Sequence, residues 1–366
     1  MRVIHTESST GWGGQENRTL QEALQLQQMG HDVMLIAPPG ARLLERAALQ
    51  HIRCEAVTLG RGLDLRAIPR LQKWFRQFRP DVINTHSSRD TIVAGLAARL
   101  MWHTPVLVRT RHLIMPITSR STYTGLPHHV VAVSEAVRQY LISAGVPAGR
   151  VTTVRTGVDL QRFQPAPLSH TIRDELGIPT EAPLFGTVAI LRVRKGHQDL
   201  LAAIPHVLQQ LPNAHFVLAG DGPQQAKLQQ KIRDAGLQAR VHMLGLRKDV
   251  PQILQALTAF VLPTHDEALG TAYLEAQAMG VPVIGTRTGG VSETLIEGQS
   301  GLLVPVQSPD ALAEAMIALG SDIERARQMG AVGRERVMRE CGVEHMAHGM
   351  LAVYRQLLQQ QGRAHA

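Results

Sequence analysis

The chain has 366 residues, 44% hydrophobic and 19% charged, the composition of a globular protein long enough for two cores. These values exclude a low-complexity chain, and no run of eighteen apolar residues is present to form a membrane-spanning helix. The formal charge of +8 is unevenly placed: residues 1–165 hold 20 Lys and Arg against 11 Asp and Glu, so the whole excess lies in the N-terminal half and points to an anionic partner there.

MRVIHT reads as a short buried strand, followed by the polar glycine turn TGWGGQE and not by the apolar core of a secretory leader. Residues 15–29 carry Leu20, Leu24 and Met29 at helical spacing, and Gly30 ends the helix. HDVMLIA and IRCEAVTL read as strands. DLRAIPRLQKWFRQF reads as a helix, and Pro80 closes it before the strand DVINTH. A helix at 89–101, strands PVLVRT and HVVAVS, a helix at 135–144 and the strand RVTTV follow. FQPAPLSHTIRDELGIPTEAP, residues 163–183, has four prolines and no strand pattern and reads as a linker. The alternation then restarts with LFGTVAIL and runs to GLLVP, with helices at 309–319, 321–340 and 343–361 at the end. Strands alternating with crossover helices predict an α/β chain with two parallel, doubly wound sheets facing a cleft. Cys54 and Cys341 form neither a disulfide framework nor a zinc spacing, so a reducing, cytoplasmic setting is expected.

The chemistry concentrates in PTHDEALGTAYLEAQAMGVPVIGTRTGGVSE, residues 263–293. An apolar strand ends there, and Leu269, Gly270 and Thr271 open a helix whose first amides form an anion site. Glu267 precedes that helix and Glu275 lies in its second turn. Two carboxylates flanking a phosphate site suit a molecule with hydroxylated rings on both sides of a diphosphate. In AILRVRKGHQDL a strand delivers Arg192 and Lys195 to its C-terminal end, where cations neutralise a leaving diphosphate. Gly13 and Gly14 let the backbone approach a phosphate.

The spacing Glu267-x7-Glu275, with PVIGT-x2-GG-x2-E downstream, resembles the donor site of the GT-B glycosyltransferases of retaining family 4. The resemblance extends to the N-terminal glycine loop, the LAGDGP turn and LGLRKDVPQIL. It implies that Glu267 contacts the transferred sugar and Glu275 the ribose. His112, at the end of PVLVRT, then faces the sugar, and Gly245, Leu246 and Arg247 read the base. The family shows Arg-x4-Lys; here Ile190 stands at the arginine's place, so Lys195 is the firm counterpart, with Arg192 next and Arg194 able to substitute. The resemblance also implies two Rossmann-like domains. Residues 1–165 would bind the acceptor and 166–342 the nucleotide-sugar donor, with 343–366 packing back on the first domain.

The resemblance implies retention by front-face transfer, and no carboxylate stands as an evident nucleophile at the sugar face. No DxD motif stands at a strand end, so neither metal nor cofactor is expected beyond the nucleotide-sugar co-substrate, and the resemblance favours UDP over GDP as its base. Segment 66–79 sets Arg66, Arg70, Lys73, Arg76 and Arg79 beside Leu71, Trp74, Phe75 and Phe78. The aromatics read as core. With Arg111, Arg120 and the loop at 117–129, the charges suit peripheral contact with an anionic inner membrane and a lipid-linked, lipopolysaccharide-like or other glycan acceptor. Competing readings are a GT-B nucleotide-sugar epimerase and a non-enzymatic binder of anionic polymers. No nucleic-acid module is recognisable, and no nucleic-acid partner is expected.

Overall fold

A computed structural model of the chain describes residues 1–59, 64–117, 119–167 and 171–362. It divides into two compact units, Met1–Gly157 with Val343–Ala366, and Val158–Gly342. The division falls ahead of the expected boundary after residue 165. Val158 bridges Gly342, its N–H donates to the Cys341 carbonyl at 2.8 Å, and Phe163 is buried in the second unit's core. The expected linker 163–183 thus lies in the second unit, with residues 168–170 outside those described. Thr118 in the loop at 117–129, and residues 363–366 of the expected terminal segment, also lie outside them.

Residues 1–157 contain β1 (Arg2–Thr6), α1 (Gly14–Gln28), β2 (Asp32–Ala37), α2 (Arg42–Ala48), β3 (Arg53–Ala56), α3 (Ala67–Phe78), β4 (Val82–Thr85), α4 (Ser88–Arg99), β5 (Val106–Arg111), α5 (Ser121–Thr124), β6 (His129–Ala132), α6 (Glu135–Ser143) and β7 (Val151–Thr153). Residues 158–342 contain α7 (Ile172–Leu176), β8 (Leu184–Val188), α8 (His197–Gln210), β9 (His215–Ala219), α9 (Gln225–Asp234), β10 (Val241–Gly245), α10 (Val250–Gln255), β11 (Ala259–Val261), α11 (Thr271–Ala278), β12 (Val283–Thr286), β13 (Gly301–Val304), α12 (Pro309–Ser321) and α13 (Ile323–Glu340). The last helix is α14 (Val343–Gln360).

Among the described residues both sheets are parallel throughout, in the orders β3-β2-β1-β4-β5-β6-β7 and β10-β9-β8-β11-β12-β13. Helices cover both faces, so the central strands are buried on both sides and read as near-continuous apolar runs, while the edge strands β3 and β10 are partly exposed. The strand order reverses at β1/β4 in one sheet and at β8/β11 in the other. At such switch points the loops leaving adjacent strands diverge, and ligands bind beyond the strands' carboxyl ends.

Helix starts follow their caps. α4 opens with a capping box between Ser87 and Asp90, and the Ser134 side chain accepts from the Val137 amide at the start of α6. α3 buries Leu71, Phe75 and Phe78 and packs beside α4, while Arg66, Arg70, Lys73, Arg76 and Arg79 stay exposed. Burying a side chain such as Phe75 contributes about 1.5–3 kcal/mol. The aromatics of 66–79 are therefore core, except that Trp74 is half-buried, with the Lys73 ammonium 5.2 Å from its ring. α14 returns to the first unit, where Met350, Leu351 and Tyr354 share a core with Leu20, Leu26 and Val108. The short α2 escapes the periodicity reading because only Leu43 and Ala47 are buried in it.

Candidate active site

Lys195 and Glu267 are 72 positions apart in sequence and touch. Lys195 ends the turn after β8, and Glu267 stands in the loop after β11. These strands are neighbours at the second unit's switch point, so their loops leave side by side. The Lys195 ammonium forms an ion pair with the Glu267 carboxylate, and the two side chains are 16% and 13% exposed. Both are therefore sheltered yet reachable, which strengthens a charge interaction without removing it from substrate.

Backbone bonds hold the two loops together. The His265 amide and the Thr264 hydroxyl donate to the Arg194 carbonyl at 2.7 and 2.9 Å. A further link, which sequence reading missed, joins His265 Nε2 to Asp199 Oδ2 at 2.6 Å. His265 follows the strand end by a few residues and Asp199 opens α8, but nothing in the sequence shows that they meet. The PVIGT-x2-GG segment has a structural task here. The Gly290 amide donates to the Glu267 carbonyl at 3.0 Å, and the Thr288 hydroxyl donates to the His265 carbonyl at 3.1 Å.

Gly270 caps the start of α11 at φ +92°. A Cβ there would lie 2.6 Å from the Tyr273 ring and 3.2 Å from Glu267 Cγ. Glycine thus lets the Glu267 loop fold back over the helix start. Tyr273 N–H turns back to the Gly270 carbonyl at 3.1 Å, while the amides of Thr271 and Ala272 precede any intrahelical acceptor. Their partial positive charge and the Lys195 ammonium make the region suited to an anion. Leu269 is buried beneath the loop. Glu275 is partly buried one turn along α11; burial pushes its carboxyl up to about 7, against an opposing pull from Arg162.

The remaining expected residues of this unit are placed differently. Arg192 is exposed at the head of the Lys195 turn, and Ile190 is 36% exposed. Arg194 contributes its carbonyl to the loop staple described above. Gly245 and Leu246 leave β10, with Leu246 75% exposed. The Arg247 guanidinium is engaged by both oxygens of Glu175 at 2.8 and 2.9 Å and by Asp249 at 2.8 and 2.7 Å, which together raise its pKa. Its side chain is thus committed within the protein.

In the first unit, Gly13 is extended at φ −161° and caps α1, which Gly14 opens. A Cβ on Gly14 would meet nothing within 4 Å. Neither position needs glycine for its own geometry; a Cβ on Gly13 would meet Glu16 Oε2 at 3.4 Å, so only Gly14 leaves open space at the helix start. Behind it Glu7 is buried, accepting from the Ser8 and Ser9 amides at 2.8 and 3.1 Å and from Gln15 at 2.6 Å. Burial first, and then the neighbouring Asp90, push the Glu7 carboxyl up. His112 follows β5, is 8% exposed, and is hydrogen-bonded through Nε2 to His86 Nδ1 at 3.0 Å. Burial drives its pKa well down, aided by Arg18, Arg111 and Arg109, so the ring is neutral.

A cavity of ≈ 480 Å³, lined by Arg173, Thr258, Pro282 and Arg327 among others, opens where the chain enters β11 and β12, at the end of these strands opposite Glu267.

Comparison with known proteins bears on these features together. The model of glycosyltransferase family 4 matches residues 12–162, and that of glycosyl transferases group 1 matches residues 169–336. The GDP-mannose-dependent alpha-(1-6)-phosphatidylinositol monomannoside mannosyltransferase of Mycobacterium tuberculosis is 34% identical over 220 residues, 57% of this chain and 56% of that one. Curated relatives at 31–35% identity are matched over only 51–63% of their own length. The Escherichia coli UDP-Gal:alpha-D-GlcNAc-diphosphoundecaprenol alpha-1,3-galactosyltransferase is 25% identical over 346 residues, 88% of each chain. A solved glycosyltransferase of Rickettsia africae superimposes with a TM-score of 0.89 over 98% of both chains at 20% identity, a likeness of fold. With both family models matched in succession and both parallel sheets in place, the chain belongs to the family 4, group 1 glycosyltransferases of GT-B fold.

Proposed function

We propose that the chain moves a sugar from a nucleotide-sugar to an acceptor hydroxyl, with retention at the anomeric carbon and without a metal ion. The observation that carries this reading is the Lys195–Glu267 pair beside the opening amides of α11. The donor diphosphate rests on those amides. Lys195, with Arg192 at the same turn, supplies counter-charge as the anomeric carbon–oxygen bond to the diphosphate breaks. The acceptor oxygen bonds the anomeric carbon on the same face, and its proton passes to the departing phosphate oxygen. Glu267 orients the transferred sugar, and positioning with electrostatics supplies most of the rate.

A UDP-sugar is the favoured donor. The relative matched along 88% of this chain is named for UDP-Gal, whereas the GDP-mannose-dependent relative matches 57% of it. Both act on lipid-linked acceptors by name, which supports a glycolipid or lipopolysaccharide-type acceptor. The test is a panel of nucleotide-sugars screened by thermal shift; a donor at a hundred times its Kd stabilises the native state by about 2.7 kcal/mol. Transfer with the selected donor should give a product of unchanged anomeric configuration by NMR and persist in EDTA. Failure of every donor to raise the melting temperature would overturn the reading, and accumulation of an epimer without acceptor would replace it.

Glu275 gives a pH signature. Its carboxyl titrates near 7, and ribose hydroxyls bind its ionised form. Donor affinity should therefore rise with pH, by about tenfold between pH 6 and pH 8, as the carboxylate fills. In the free protein the sign is opposite: ionising this raised group costs stability as pH climbs from the ordinary carboxylate range to about 7. Calorimetric titration of wild type and Glu275→Gln checks this. A slope that survives the substitution would remove Glu275 from the donor site.

The exposed cations of α3 lie beside α4, whose end carries Leu100 and Trp102 at 67% and 96% exposure. Such cations contribute about 1 kcal/mol each at an anionic surface, and tryptophan suits the headgroup layer. We expect peripheral binding at the cytoplasmic face of the inner membrane. Flotation with anionic vesicles should be lost at high salt and weakened by Trp102→Ala. Equal flotation with neutral vesicles would contradict it.

A further inference from the structure

Three buried histidines form a row across the first sheet. His5 lies on β1, His86 follows β4 and His112 follows β5, and these strands are neighbours. His5 pairs with Asn84 in register, and His86 is two residues further on the same face. His112 repeats that step from Thr110, whose hydroxyl donates to Asn84 Oδ1 at 3.0 Å. The rings are in contact at centroid distances of 5.4 and 5.2 Å. His5 Nδ1 is 3.1 Å from His86 Nε2, and His86 Nδ1 is 3.0 Å from His112 Nε2. Burial lowers the pKa of all three, so each ring is neutral with one proton.

Two neutral contacts in series share one direction: either every ring carries its proton on Nδ1, or every ring carries it on Nε2. The far end decides. His5 Nε2 lies 3.9 Å from Glu22 Oε1 on α1 and has no hydrogen bond of its own. That oxygen is an acceptor: the Tyr354 hydroxyl donates to it at 2.7 Å and the Asn84 amide at 3.4 Å. Asn84 is oriented by Thr110 and also donates to Tyr354 Oη at 2.9 Å. A bare His5 Nε2 would set lone pair against lone pair in a dry core. A protonated one points its dipole at the carboxylate. His86 Nε2–H then donates to His5, and His112 Nε2–H donates to His86. His112 Nδ1 is left with a lone pair. It has no partner among the described residues, and it is not among the buried unpartnered atoms.

We propose that Glu22, acting through His5 and His86 as positioning residues, fixes His112 in the Nε2-protonated tautomer, so that Nδ1 accepts a hydrogen bond from a substrate hydroxyl. The proposal rests on the transferase reading only for the identity of that hydroxyl. It makes His112 an acceptor and not a donor, and so a selector for a sugar bearing a free hydroxyl at the contacted carbon.

The test is long-range proton–nitrogen NMR of the full chain labelled with ¹⁵N-histidine, at neutral pH and without donor, with signals assigned by single substitutions. His5, His86 and His112 should each show protonated Nε2 and bare Nδ1. His5→Phe keeps a flat ring at this position and leaves Glu22 its other partners, but cuts the link. His112 should then show averaged tautomers, and kcat should fall about tenfold, the loss of one oriented hydrogen bond, with donor KM within twofold. Protonated Nδ1 on His112 in the wild type overturns the proposal, as does an unaltered His112 signal in His5→Phe. The tautomer readout needs no turnover, so a chain that transfers no sugar but shows the expected signals loses the transferase reading alone.

Discussion

Replacing Glu267 with alanine is expected to lower the transfer rate by about a hundred- to a thousandfold, the range seen when one oriented electrostatic contact is removed from an active site. Folding should be little affected. The side chain is 13% exposed, contributes no core volume, and its loss leaves a Lys195 that still reaches solvent, so the stability change should stay near about 1 kcal/mol. Glu267→Gln separates two roles. If orientation of sugar hydroxyls dominates, the amide retains part of the activity; if the charge that holds Lys195 dominates, it does not. Lys195→Ala should also lose rate, and the double variant should be no slower than the worse single one, because the two side chains act as one unit. Kinetics of wild type and the four variants at saturating donor, with melting curves alongside, provide the check. Activity within tenfold of wild type in Glu267→Ala would remove the residue from the chemistry.

What was legible in the chain divides along a physical line. Local signals travelled well. Apolar runs marked the strands because parallel sheets are buried on both faces, and the spacing from Glu267 to Glu275 placed both acids around a helix start. Signals that depend on strand order did not. That Lys195 reaches Glu267 follows from β8 lying beside β11 after the crossings through β9 and β10. The histidine row needs β1, β4 and β5 to be neighbours; in the sequence His5, His86 and His112 are three of 17 histidines. The turn after β10 was marked by its motif, yet the ion pair from Arg247 to Glu175 joins that turn to α7, a contact no spacing reveals. The division after Gly157 has the same origin: Val158 pairs with Gly342 at the far end of the second unit.

Gly196→Ala should be the most damaging small substitution in the second unit, costing upward of about 3 kcal/mol and abolishing donor binding. Two costs combine. The residue sits at φ +68°, where an L side chain loses about 1 kcal/mol. The added Cβ would also lie 1.7 Å from the Pro263 carbonyl oxygen and 2.6 Å from its carbon, both backbone atoms that no rotamer change can move. Relief requires the turn after β8 to part from the loop after β11, which breaks the bonds from His265 and Thr264 to Arg194 and separates Lys195 from Glu267. Gly298→Ala is the matched control. It has φ +76°, but a Cβ there meets nothing within 4 Å, so it should lose only the conformational part and keep donor binding. For a unit of this size, 1 kcal/mol corresponds to about 2–4 °C in melting temperature, so the two variants should melt at least about 4 °C apart. Were Gly196→Ala to unfold no more readily than Gly298→Ala, the close packing of the two loops would not be what holds the ion pair in place.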